Sequence, residues 1–144
     1  MNADAAALNR VSEHVIGCAF QVANTLGTGF LERVYENALA HEPRKGCLEV
    51  EQKHAIAVKY DGIVVESYAA DLLVEGRLLI ELKPVRAGDN VHAAQCLNYL
   101  KATGLPLCLL FNFATPRLEI RRIVRGLRLS KRRIYPRSSA SICG

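Results

Sequence analysis

Residues 69–86, AADLLVEGRLLIELKPVR, limit the possible fold more than any other segment. Two aliphatic runs flank Glu75-Gly76, which reads as a tight turn between two buried antiparallel strands. Asp71, Glu81 and Lys83 stand among the aliphatics. Charges enter a buried strand only with a partner or a task. Because side chains alternate along a strand, Leu79, Glu81 and Lys83 share one face, and Leu78, Ile80 and Leu82 the other. The turn length then matters. With two residues in the turn, Asp71 stands opposite Ile80; with three, or with a bulge, it stands opposite Glu81. The sequence leaves both registers open.

The flanking segments supply the other elements. Apolar residues at helical spacing run from residue 5 to 26, and the glycines of LGTG stop that helix. A second helix is expected from Phe30 to Glu42, closed early or kinked by Pro43. Alternation in VEQKHAIAVKY (Val50–Tyr60), the Asp61-Gly62 hairpin signal and IVVESYAADLLV give two strands, and RLLIELK a third. A helix follows from Asn90 to Thr103, ended by Gly104. PLCLLFNF (Pro106–Phe113) suits a strand covered on both faces, and RLEIRRIV an outer strand that could pair two subunits. The order α-α-β-β-β-α-β-β describes an α/β domain with a central mixed sheet flanked by helices. It spans residues 1–125, and residues 126–144 read as a loose basic tail.

Charge is unevenly placed. The net charge is +5, yet eight of the nineteen Lys/Arg lie from Arg121 onward with no acid among them. The first 120 residues carry eleven basic against fourteen acidic groups, a net of −3. A tail of this kind can hold phosphate backbones, and Arg128, Lys131, Arg132 and Arg133 are its candidate contacts. No apolar run is long enough to span a bilayer, so no membrane role is expected. Neither a signal peptide nor zinc-type cysteine spacing is visible, so the five cysteines are expected to be reduced, in a cytoplasmic protein.

Two carboxylates held a few ångström apart repel unless a cation lies between them. Oxygen ligands of this type suit Mg²⁺ or Mn²⁺, with the Leu82 carbonyl as a further donor. Lys83 is placed to steady an attacking water or the charge developing on a phosphate. On the second helix, Glu32 and Glu36 lie one turn apart, and either could complete such a site. On the helix from Asn90, His92, Gln95 and Tyr99 share a face that could orient water or meet nucleic acid, while Ala94, Leu97 and Leu100 are expected to face the core.

GFLERVYENAL (Gly29–Leu39) resembles the Gly-x-x-Glu-x-x-Tyr signature of the GxxExxY protein family, a branch of the PD-(D/E)XK nuclease superfamily. The resemblance continues through residues 51–85, 92–113 and 118–124, covering about residues 10–125. It implies a restriction-endonuclease-like core. It further implies that Asp71 and Glu81 are paired metal-binding acids, with Glu32 as a third ligand and Glu36 as second choice. Lys83 matches the catalytic lysine, and Gln95 and Tyr99 match the Gln-x-x-x-Tyr motif of RecB-like nucleases. The implied chemistry is Mg²⁺- or Mn²⁺-dependent attack of water on a phosphodiester, of DNA before RNA. The mildly acidic body suits an alternative, a non-catalytic nucleic-acid- or protein-binding module on the same fold.

Overall fold

The computed structural model describes residues 3–83 and 89–126. Its order is α1 (Ala3–Leu26), α2 (Glu32–Lys45), β1 (Val50–Tyr60), β2 (Ile63–Val74), β3 (Leu78–Leu82), α3 (Asp89–Thr103), β4 (Leu107–Asn112) and β5 (Glu119–Val124). The five strands form one sheet in chain order. Neighbours are antiparallel except β3 and β4, which are parallel. A parallel pair needs a crossover, and α3 supplies it. This is the expected mixed α/β architecture, consistent with a restriction-endonuclease-like fold.

Each face of the sheet has its own core. Leu72, Val74, Leu78, Ile80, Leu82, Leu109 and Phe111 pack with α1 and α2, through residues such as Val15, Phe20 and Leu39. Leu73, Leu79, Cys108, Leu110 and Ile123 pack with Ala93, Cys96, Tyr99 and Leu100 of α3. The alternation along β3 therefore sends Leu79 and Glu81 towards α3, and Leu78, Ile80 and Leu82 towards α1 and α2.

Local chemistry sets the ends of the elements. Asp61 and Gly62 adopt positive φ (56° and 79°), and Tyr60 pairs with Ile63 across this two-residue turn. Gly27 at φ 68° ends α1, its N–H donating to the Ala23 carbonyl. Pro43 does not end α2, which continues to Lys45. Proline lies there in the last turn, where few bonds remain to break, and its own carbonyl accepts from the N–H groups of Gly46 and Leu48.

The face assignment on α3 requires correction. Ala94 is exposed and Leu97 only half-buried, whereas Ala93, Cys96, Tyr99 and Leu100 face the sheet. Alanine and cysteine carry little pattern weight, so their spacing is easily misread. Cys18, Cys96 and Cys108 are buried free thiols as expected, and burial pushes Cys18 up to about 12.

Candidate active site

The turn between β2 and β3 decides the geometry. Glu75 and Gly76 both adopt left-handed backbone (φ 54° and 66°), and the Arg77 N–H closes the turn on the Val74 carbonyl. The first strand pair is Val74 with Leu78, so Arg77 is an extra residue and the connection is three residues long. The pairing runs through Leu73–Leu79 to Leu72–Ile80 and stops. The next positions on the two strands are Asp71 and Glu81, so the longer of the two registers is the one adopted.

The two acids take over where the ladder ends. The Asp71 N–H donates to Oε1 of Glu81 (3.0 Å), and the Leu82 N–H donates to Oδ2 of Asp71 (2.7 Å). Each carboxylate thus satisfies a backbone donor of the neighbouring strand. A buried N–H needs such a partner, which fixes both side chains. The acids are nonetheless expensive to ionise together. Burial first, and the Asp71 charge second, push Glu81 up to about 8. Tyr99 opposes this by donating its hydroxyl to Oε2 of Glu81 (3.2 Å), while Gln95 Nε2 donates to that hydroxyl (2.6 Å). Tyr99 is therefore a core residue whose polar end reaches Glu81.

Lys83 continues the line of β3, its N–H donating to the Phe111 carbonyl (2.8 Å). Its half-buried side chain, Leu82 and Glu32 line one cavity of about 280 Å³ beside the α1–α2 loop. His92 of α3 lies near enough to feel that lysine. Burial, and then the Lys83 charge, hold the imidazole below its usual ionisation range.

The start of α2 explains the Gly-x-x-Glu-x-x-Tyr spacing physically. Gly29 adopts φ 109°, a conformation that side chains oppose. Tyr35, buried and stacked on Phe113 at 5.0 Å, donates its hydroxyl to the Gly27 carbonyl (2.6 Å) and accepts from the Phe30 N–H (3.3 Å). It ties down the loop that presents Glu32. The Glu32 carboxyl is pushed up by burial first and by the Asp71 charge second.

One central residue carried no signal in the sequence. Lys53 lies in β1 between the pairs Gln52–Leu72 and His54–Ala70, hence opposite Asp71. Its Nζ stands 2.8 Å from Oε1 of Glu36 and 3.0 Å from Oδ1 of Asp71. The hydrogen bond to Glu36 is the largest influence raising its ionisation, and Asp71 adds to it against burial. Gln52 Nε2 donates to the other oxygen of Glu36 (3.0 Å). Lys53 also adopts φ 55° inside a strand. A non-glycine residue there costs about 1–3 kcal/mol and persists only where its surroundings impose it.

The expected residues are thus brought together in part. Asp71 and Glu81 pair; Gln95 and Tyr99 support Glu81; Glu32 and Lys83 share the adjacent cavity. Glu36 turns instead to Lys53 and Gln52. Among the described residues, no three His, Cys, Asp or Glu side chains are arranged to hold a metal ion. Even so, the Asp71–Glu81 pair has the chemistry of half a cation site: hard oxygen donors that otherwise need a proton between them. Arg128, Lys131, Arg132 and Arg133 lie outside the described residues, as does the proposed tail from 127 onward.

A model of the PD-(D/E)XK nuclease superfamily matches residues 9–123. No curated protein and no solved structure gives a significant match. The matched span is most of the chain and contains every site residue described above, so the chain belongs to the PD-(D/E)XK nuclease superfamily.

Proposed function

We propose that this member of the PD-(D/E)XK nuclease superfamily, through its Gly29–Glu32–Tyr35 signature a member of the GxxExxY family, is a Mg²⁺- or Mn²⁺-dependent nuclease that hydrolyses phosphodiesters of DNA. One observation carries the reading: the three-residue turn brings Asp71 and Glu81 to the next position past the Leu72–Ile80 pair, with Lys83 two residues further along the chain. A buried acid pair is costly to build, and the fold spends core space on it.

Asp71 and Glu81 would hold the ion, with the Leu82 carbonyl and Glu32 as further oxygen donors. When bound, the ion supplies positive charge that polarises the phosphate and lowers the pKa of water. Tyr99 holds Glu81 in place through its hydroxyl, and Gln95 fixes that hydroxyl. Lys83, on the cavity wall, provides an ammonium for the charge that grows on the phosphate oxygens. His92 would offer a hydrogen bond to the nucleic acid. The tail arginines and Lys131 would add salt-sensitive affinity without sequence preference.

The test is cleavage of single-stranded, duplex and branched DNA with Mg²⁺ or Mn²⁺, with RNA in parallel. Wild type cuts, and Asp71→Ala and Lys83→Ala do not. Equal residual cleavage by all three proteins would remove the enzymatic reading in favour of a non-catalytic binding module. No helix among the described residues is long and apolar enough to cross a membrane.

A further inference from the structure

Lys53 bridges two buried acids with one ammonium. One ammonium contacts an oxygen of Glu36 and an oxygen of Asp71, at 2.8 and 3.0 Å. Every oxygen of these two acids has a protein partner: Gln52 takes the second of Glu36, and the Leu82 N–H the second of Asp71. A divalent ion bridging Glu36 and Asp71 would need the place the ammonium holds, since its carboxylate distances are shorter still. The backbone points the same way. Lys53 has left-handed φ within β1, at the position that faces Asp71, where no turn requires it. Its side chain is 61% exposed while those of Glu36 and Asp71 are 6% and 9% exposed. The lysine therefore delivers a charge to buried acids while keeping most of its own hydration.

We propose that Lys53 is a built-in cation that keeps Glu36 away from the metal site and limits that site to a single divalent ion on its Asp71–Glu81 side. The inference rests on the divalent-metal reading above. Charge balance supports it. Ionised Glu36, Asp71 and Glu81 are neutralised by one lysine and one divalent ion. A second divalent ion beside Lys53 would leave the cluster net positive, even with Glu32 ionised. Without the lysine, Oε1 of Glu36 and Oδ1 of Asp71 lose their shared partner, and the cluster can accept that second ion. Lys53 is thus a positioning residue that sets stoichiometry.

The experiment is calorimetric titration with Mn²⁺, together with electron paramagnetic resonance to detect spin-coupled Mn²⁺ pairs. Wild type binds one ion per chain and shows no coupling. Lys53→Met binds two, with coupling, and Lys53→Met/Glu36→Gln returns to one. Should Lys53→Met fail to fold, Glu36→Gln alone decides: this near-isosteric change leaves the wild-type single site intact. A Lys53→Met protein that binds one ion at wild-type affinity overturns the inference, and so does a tenfold loss of Mn²⁺ affinity in Glu36→Gln, the mark of a ligand or of its support. Absence of Mn²⁺ binding in wild type and all variants removes the divalent-metal reading itself, a separate failure that takes the inference with it.

Discussion

Replacing Glu81 by Gln should stabilise the ion-free protein at high pH and abolish its activity. Glu81 ionises at about 8 in the folded chain against an ordinary value of 4.5, because burial and the Asp71 charge oppose its negative form. Between those values the native state holds a proton that the unfolded chain releases. Stability therefore falls as pH rises from about 4.5 to about 8, and the loss is complete above the folded value. At about 1.36 kcal/mol per pH unit the ceiling on that loss is about 5 kcal/mol. Structural relaxation and sharing of the burden with Asp71 reduce the expected loss to about 1–3 kcal/mol. Glutamine keeps an oxygen for the Asp71 N–H and never ionises, so Glu81→Gln escapes the loss. With an unfolding entropy of about 2.1 cal/mol/K per residue, each kcal/mol moves Tm by about 3 °C in a chain of this length. Melts in EDTA should thus show the variant near wild type at pH 5 and about 3–9 °C above it at pH 9. Mn²⁺ should raise the wild-type Tm at pH 8 and leave that of the variant unchanged. A wild-type Tm that stays flat from pH 5 to 9, or a variant equally destabilised at both ends, would refute the reasoning.

Three further outcomes follow from the same contacts. Lys83→Met should lower kcat by about 10²–10³ in single-turnover cleavage, because an ammonium acting on developing charge is lost, while the circular dichroism melt barely moves. Tyr99→Phe removes the donor to Glu81 and leaves Gln95 without its acceptor. Its Mn²⁺ affinity should fall by about 10-fold or more in calorimetric titration, and the loss of stability should begin at the same pH but extend to higher pH and grow, since the tyrosine favours the ionised carboxylate and its removal raises the folded value further. Tyr35→Phe breaks the hydroxyl contacts to Gly27 and Phe30, which should cost about 1–2 kcal/mol, or about 3–6 °C in Tm.

Much of the fold was legible because its segments obey clean periods. The 3.6-residue spacing of Val15, Ile16, Ala19 and Phe20, and the strand patterns on both sides of Asp61-Gly62, each admit one reading. The candidate acids were legible for a different reason: Asp71 and Glu81 are misplaced by the rules of a buried strand. What the residues did not reveal depends on backbone conformations that side-chain patterns do not encode. Glu75-Gly76 announces a turn, but whether Arg77 belongs to it depends on where pairing resumes. Lys53 looked like any charge on a half-exposed strand, since nothing in VEQKHAIAVKY signals a positive φ or a partner eighteen residues away. Tyr99 is legible by motif but not by face, because small Ala93 and Cys96 mark the buried side of α3 weakly.

Asp71 has two roles, and one substitution separates them. Its carboxylate accepts the Leu82 N–H at the point where the β2–β3 ladder gives out, which is a structural duty. It also contributes negative charge beside Glu81, which is the proposed catalytic one. Asp71→Ala removes both and leaves a buried backbone donor unsatisfied, at about 1–3 kcal/mol. Loss of cleavage in that variant therefore mixes misfolding with chemistry. Asp71→Asn retains an oxygen for the Leu82 N–H and loses only the charge; the exposed stem of Lys53 lets its ammonium move away from the new amide. Asp71→Asn should accordingly melt within about 3 °C of wild type at pH 7, whereas Asp71→Ala melts about 3–9 °C lower. Both should fail to cleave, and both should fail to bind Mn²⁺. Cleavage surviving in Asp71→Asn would exclude the carboxylate charge from the reaction. Equal destabilisation of the two variants would show that charge, and not the acceptor at the ladder's end, is what the fold requires of this residue.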